Sequence, residues 1–301
     1  MRSLAAFIMR GRAAAVIAVA GLGLVSLLIP LVSLFSSAAL ALVALRKGAA
    51  ESAWVLGLSA LAVGVLGTGF TGNVYLTILY GLLLWLPIWL TATLLRESGQ
   101  LALALEGALG LGILAVMGIY LLVREPAQMW QENLQRLIQP MLERAPPGFD
   151  PDQVAQSVGF FAHYMSGIAA AGSVMSLILG LLIARWWQAT LFNPGGFRAE
   201  FVNLRLHRAV AYVGLGSLAA ALAGVGSIAE IAWNINLLFF ALFLVGGFAI
   251  LHALLATGRA KKFWLVGIYI AAFIIPHILL PVALLGLSDI WLNWRRRMPQ
   301  A

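Results

Sequence analysis

A chain of 301 residues that is 62% hydrophobic and only 10% charged is not an ordinary soluble domain, which carries about 25% charged residues. Its apolar residues come in runs of roughly 18 or more, the length that crosses a bilayer as a helix, and not in the short alternating segments of an outer-membrane barrel. The formal charge of +8 suits a membrane protein with basic cytoplasmic loops; no basic stripe sits on a soluble domain, so nucleic acid is not an expected partner. The absence of cysteine excludes disulfides, thiolate metal sites and a Cys nucleophile.

Taken in order, the chain predicts an all-α, polytopic, single integral membrane domain over 1–301. Arg2, Arg10 and Arg12 precede an apolar run over 13–45. As one helix that run would measure about 50 Å, well beyond a hydrocarbon core of about 30 Å. Pro30 and Ser33, Ser36 and Ser37 offer a break, so a hairpin of two short spans, 13–29 and 31–45, is expected. Spans follow at about 50–66 and 74–95, separated by a turn over 67–73, and another at 101–123 that contains Glu106.

Residues 124–153 form the largest extramembrane segment. Trp130, Leu134, Leu137 and Met141 recur at helical spacing between polar residues, the pattern of an amphipathic helix on a membrane surface. Asp150-Pro151-Asp152-Gln153 reads as an N-cap, a Pro at the first helical position and a capping-box Gln, opening a helix expected to run on to about 183. The segment 185–208 is polar and basic and reads as a loop at the membrane surface. Spans are expected at about 209–226 and 231–256. The last apolar stretch, 263–294, is again too long for one crossing and is interrupted by Pro276 and Pro281.

If both over-long runs are hairpins, ten membrane segments result, with both termini cytoplasmic; if they are long tilted helices the count falls to eight. With ten, 16 of the 19 basic residues share one side with both termini, and only Arg124, Arg136 and Arg144 lie on the other. The positive-inside rule makes the first side cytoplasmic. The segment 124–153 is then extracytoplasmic and the loop 185–208 cytoplasmic.

Motifs for chemistry are missing. No Walker A, HExxH or GxSxG sequence occurs, and the four histidines share no ligand spacing, so neither an enzyme nor a metal or other cofactor is expected. What remains is a set of polar and aromatic residues near the extracytoplasmic helix ends: Asn73, Tyr75, His163, Tyr164, Glu230, Trp233, Asn234, Asn236 and His277. Two readings fit them. They line a pocket for a small molecule that opens outward, with Asn73, Tyr75, His163, Tyr164, Trp233, Asn234, Asn236 and His277 as its substrate-binding residues, or they form a belt of interface anchors. Near the other side, Glu106 and Asp289 fit either a proton relay or, in the favoured reading, a structural role: an ion pair with Arg295 or Arg185 for Asp289, and snorkelling toward the surface near the Arg96 loop for Glu106. In the central loop, Asn193-Pro194-Gly195-Gly196 has strong turn chemistry, and Phe197, Arg198 and Arg205 follow it. This group fits either docking of a membrane or cytoplasmic protein partner or simple anchoring to the lipid bilayer.

The residues LRKG ending at Gly48, FNPGGFRAEFVNLRL from Phe192 to Leu206 and LGLSDIWLNWRRR from Leu285 to Arg297 resemble the YybS-like family of bacterial membrane proteins. The resemblance covers nearly the whole chain, and the central motif is its most specific part. It implies a relation to the S components of energy-coupling-factor transporters and to the rod-shape protein MreD, an S-component-like core, and residence in the bacterial cytoplasmic (inner) membrane. The S-component core usually has six spans, fewer than the count above. Two functions are implied: a substrate-binding or transport subunit for a small hydrophilic molecule, working with a separate energising partner, or a membrane scaffold or assembly factor acting through its basic loops.

Overall fold

The computed structural model describes residues 1–144, 150–255 and 261–297, and among them all regular structure is helical. In chain order the helices are α1 (Arg2–Ile8), α2 (Arg12–Ser26), α3 (Ser33–Lys47), α4 (Ala49–Thr71), α5 (Val74–Ser98), α6 (Leu101–Leu122), α7 (Pro126–Leu142), α8 (Pro151–Ala162), α9 (Met165–Phe192), α10 (Gly196–Val202), α11 (Arg208–Ala223), α12 (Gly226–Leu254), α13 (Lys261–Ile274) and α14 (Leu279–Leu292). Among the described residues, six helical segments are long and apolar enough to cross a membrane: Pro30–Lys47, α4, α5, α6, α9 and α12. These are the helices of a multi-pass integral membrane protein. Two apolar helices are shorter, α2 with 15 residues and α11 with 16, and α13 and α14 form a pair bent by 117°.

Both over-long apolar runs break at their prolines, and by the same device. A proline drives the residue before it out of the helical region. Ile29 accordingly sits at φ −125°, ψ 90° and Ile275 at φ −119°, ψ 85°. Each proline then opens a single 3-10 turn, Pro30–Val32 or Pro276–Ile278, from which the next helix starts.

Elsewhere the helices outrun the expected boundaries. α4 continues through the glycines and threonine at 67–69 to Thr71 and stops only at Gly72, whose φ of +69° suits a residue without Cβ. α9 runs past 183 to Phe192, so the first third of the segment 185–208 is membrane helix rather than loop. Trp187 is fully buried, stacked 6.4 Å from Phe35, whereas its neighbour Trp186 faces outward. The helix expected to run unbroken from Pro151 is interrupted at His163 and Tyr164. α8 pairs with α7 outside the bundle, while α9 enters it.

Packing divides the bundle into α2–α5 on one side and α11, α12 and α14 on the other, with α6 and α9 between them. α3 is the buried member of the first group, with every residue from Ser36 to Leu45 buried. α12 holds the second group together, and against α14 the two backbones touch. A Cβ on Gly247 would lie 1.9 Å from the Val282 carbonyl oxygen, and one on Gly286 would lie 2.0 Å from that of Phe243. Such close approach lets dispersion forces act where lipid offers no hydrophobic drive between helices.

Candidate functional site

The bundle has two ends, defined by which helix termini meet. At one, Arg12 at the start of α2 reaches Glu51 of α4, Arg96 of α5 donates to the Leu45 carbonyl of α3, and Arg46 lies 3.9 Å over the Phe192 ring at the end of α9. We call this the basic end. The other carries α7 and α8.

At the α7–α8 end, polar groups from α6, α9 and α12 converge. Glu230 is placed one turn into α12, with its carboxylate between two donors. The Tyr120 hydroxyl donates to Oε1 at 2.6 Å, and His163 Nδ1 lies 2.7 Å from Oε2. An ionised carboxylate only accepts, so in that pair Nδ1 carries the proton. Asn234, one turn further along α12, is fully buried. Its Nδ2 donates to the Tyr120 hydroxyl at 3.1 Å, to the His163 carbonyl at 2.7 Å and to the Glu230 carbonyl at 2.8 Å, and its Oδ1 accepts from Gly167 N. The Gly167 amide and the His163 carbonyl would bond one another if α8 ran on into α9. Each turns to the Asn234 side chain instead, which bridges the missing rung. Gly167 permits this because a Cβ there would lie 2.6 Å from Asn234 Cα. From above, Trp130 of α7 donates Nε1 to the buried Ser166 Oγ at 2.9 Å.

Of the residues selected as a binding set, His163 and Asn234 come together here, with Glu230. The others lie apart. Asn73 is the N-cap of α5, its Oδ1 accepting from Tyr75 N at 2.9 Å and Leu76 N at 3.3 Å, and the Tyr75 ring is 80% exposed. Tyr164 packs against Phe160 at 5.3 Å, and Trp233 faces outward. Asn236 donates Nδ2 to the Ala232 carbonyl at 2.7 Å and to Ser217 Oγ at 3.2 Å, tying α12 to α11. His277 sits exposed in the turn between α13 and α14. Tyr120 was not selected: a single Tyr near the end of an apolar helix has the signature of an interface anchor. Its pairing with Glu230 is set by tertiary packing across 110 residues.

The basic end is built differently. Asp289 of α14 meets Arg295 at 3.6 Å and also accepts from Trp294 N at 2.8 Å, and Arg295 Nη1 donates to the Leu204 carbonyl at 2.6 Å. Burial draws the Arg295 guanidinium below its ordinary value; Asp289 opposes that and Arg205 adds to it. A guanidinium nonetheless stays charged at any physiological pH. Arg185 pairs with Glu200 at 2.7 Å and also reaches Gln188. Glu106 accepts from His207 N and from its Nδ1, each at 2.7 Å.

In the central loop the Gly196 amide donates to the Asn193 carbonyl at 3.0 Å, closing a turn around Pro194 and Gly195. Gly195 alone of the two glycines takes positive φ, +88°. Phe197 stacks on Phe201, which meets His252 of α12 edge-on at 5.4 Å, while Arg198 and Arg205 point outward. No group of three or more metal-ligating side chains occurs among the described residues. Comparison with protein-family models, with curated proteins and with solved structures returns no match.

Proposed function

We propose that this protein is the solute-binding subunit of a membrane transport system. It takes a small hydrophilic molecule at the α7–α8 end and works with a separate protein that supplies energy at the basic end. The observation that carries the reading is Glu230, a carboxylate set in an apolar helix and oriented by Tyr120 and His163. Ionisable groups at membrane depth are costly and most often mark a solute or ion pathway. Thermal unfolding of the purified protein across a panel of vitamins and metabolites tests it: a reproducible rise of the midpoint with one class of compound is expected, and no rise with any compound overturns it.

In this proposal α2, α11 and both arms of the bent pair count as crossings. That makes ten, with the basic end and both termini cytoplasmic in a bacterial inner membrane and the α7–α8 hairpin on the outer surface. The chain has no cysteine, so single Cys substitutions at Arg136 and Arg198 give a clean test. An impermeant thiol reagent applied to intact cells should label the first and spare the second; the reverse pattern overturns the orientation.

A second reading is a scaffold or assembly factor acting through the basic end. It is favoured by the turn at Asn193–Gly196 together with the exposed Arg198 and Arg205. Photo-crosslinking from positions 193–205 should then recover a defined protein partner without any added solute, and recovery of lipid alone would remove this reading.

A further inference from the structure

Acids that meet this bundle are mostly matched with arginine. Arg12 pairs with Glu51, Arg96 with Glu97, Arg185 with Glu200 and Arg295 with Asp289. Glu106 and Glu230 are exceptions: each meets a histidine, and among the described residues no Lys or Arg stands within ion-pair distance of either. The two exceptions differ from one another. Glu106 spends both oxygens on one residue, accepting the His207 amide as well as its ring, and so ties α6 to the start of α11. Its side chain is 11% exposed.

Glu230 bonds no backbone amide. Its two partners are a hydroxyl from one helix and an imidazole from another, and a carboxylate has about four acceptor positions. The side chain is 23% exposed beneath a His163 side chain that is 55% exposed. The imidazole and the hydroxyl fill two of those acceptor positions, no guanidinium or ammonium of the described residues stands among them, and a carboxylate in a low-dielectric setting attracts a cation strongly. Tyr120 cannot turn away easily, because the buried Asn234 amide holds its oxygen. The His163 side chain is freer, since more than half of it is open to the surroundings.

We propose that Glu230 is the recognition group for a small solute bearing a positively charged nitrogen, an ammonium or a guanidinium. The cation approaches from the α7–α8 end and takes the position of His163 on Oε2, while Tyr120 continues to hold Oε1. Asn234 positions these groups and does not touch the solute. This inference rests on the solute-binding reading above and narrows it to cations.

The experiment measures thermal midpoints of the full-length protein in detergent with agmatine, putrescine and tetramethylammonium in one arm, and succinate and glucose in the other. Native protein should be stabilised in the first arm. In Glu230→Gln the concentration needed for the same stabilisation should rise by about thirtyfold or more, the usual consequence of removing one member of a desolvated charge pair. In His163→Ala it should fall, because the competing imidazole is gone. Every variant is compared with its own solute-free midpoint, so lost stability does not imitate lost binding. Should Glu230→Gln not fold, Tyr120→Phe gives the same test, with weakened stabilisation expected. Stabilisation in the second arm alone leaves the binding reading intact and overturns this inference. No stabilisation in either arm overturns both for these compounds, and cation stabilisation unchanged in Glu230→Gln overturns the role of Glu230.

Discussion

The two ends of this bundle solve the same electrostatic problem in different ways. At the basic end Asp289 is compensated by Arg295, whose guanidinium also donates to the Leu204 carbonyl, and that hydrogen bond ties the end of α14 to the segment between α10 and α11. At the α7–α8 end Glu230 is held by a tyrosine and a histidine, with no Lys or Arg beside it among the described residues. The guanidinium compensates Asp289 by charge at 3.6 Å and is itself fixed by its bond to the Leu204 carbonyl, and that arrangement suits closure. A hydroxyl and an imidazole at a partly open edge hold the carboxylate without a guanidinium, and that arrangement suits recognition.

The contrast is broken most severely by Asp289→Ala. Only 5% of the Asp289 side chain and 11% of that of Arg295 are exposed, so the change strands a buried guanidinium. Removing one member of a buried pair costs about 3–5 kcal/mol. The purified variant should show a much lower thermal midpoint or fail to yield folded protein, and a midpoint near that of the native chain would show that the pair adds little to stability.

Asn234→Leu should come next. It removes the amide that bridges Gly167 N and the His163 carbonyl, and unpaired buried backbone groups of this kind cost about 2–3 kcal/mol together. Hydrogen exchange should rise around the α8–α9 break and stay unchanged at Arg295. Equal loosening at both ends would mean that the two sites are not independent.

How much of this was legible in the sequence varied with the range of the interaction. The breaks at Pro30 and Pro276 were, because proline acts on the residue beside it. So was the Asp289–Arg295 pair, six positions apart in one segment, and the turn at Asn193–Gly196. The Asp150 cap was also legible: its Oδ1 accepts from Asp152 N at 3.0 Å. The continuation of α9 to Phe192 was not. Arg185 and Gln188 look like loop residues in a hydropathy profile, but Arg185 satisfies itself on Glu200, and Trp187 enters the core. The interruption at His163 was invisible for a related reason. Residues 152–183 hold no proline to mark a break, and the break is held by Asn234, 71 residues away from His163. The polar set at the helix ends shares a depth in the sequence, and depth does not say which helices are neighbours. His163, Glu230 and Asn234 share a site because α9 packs on α12; Asn73, at the start of α5, caps a helix instead.

A milder change sharpens the comparison without breaking the fold. Glu230→Gln keeps the size of the side chain and an acceptor for Tyr120, and it removes the charge. The expected loss is about 1 kcal/mol, the net worth of an ordinary hydrogen bond, and it should be visible as a small fall in thermal midpoint. If Glu230 served closure as Asp289 does, the loss would instead approach that of Asp289→Ala.

Glu51→Gln should have the least effect, and it tests whether an arginine partner alone makes a pair matter. Glu51 receives Arg12 Nε at 3.1 Å and Nη2 at 2.6 Å, a forked geometry as good as any in the molecule. Both side chains, however, reach solvent, at 49% for Arg12 and 26% for Glu51. Water and salt screen such a pair, and holding two long side chains in register costs entropy. The thermal midpoint of Glu51→Gln should therefore match the native value at moderate salt. A marked fall would locate stability in the start of α2 and the start of α4, and the difference between the two ends would then follow from arginine itself rather than from burial around Asp289.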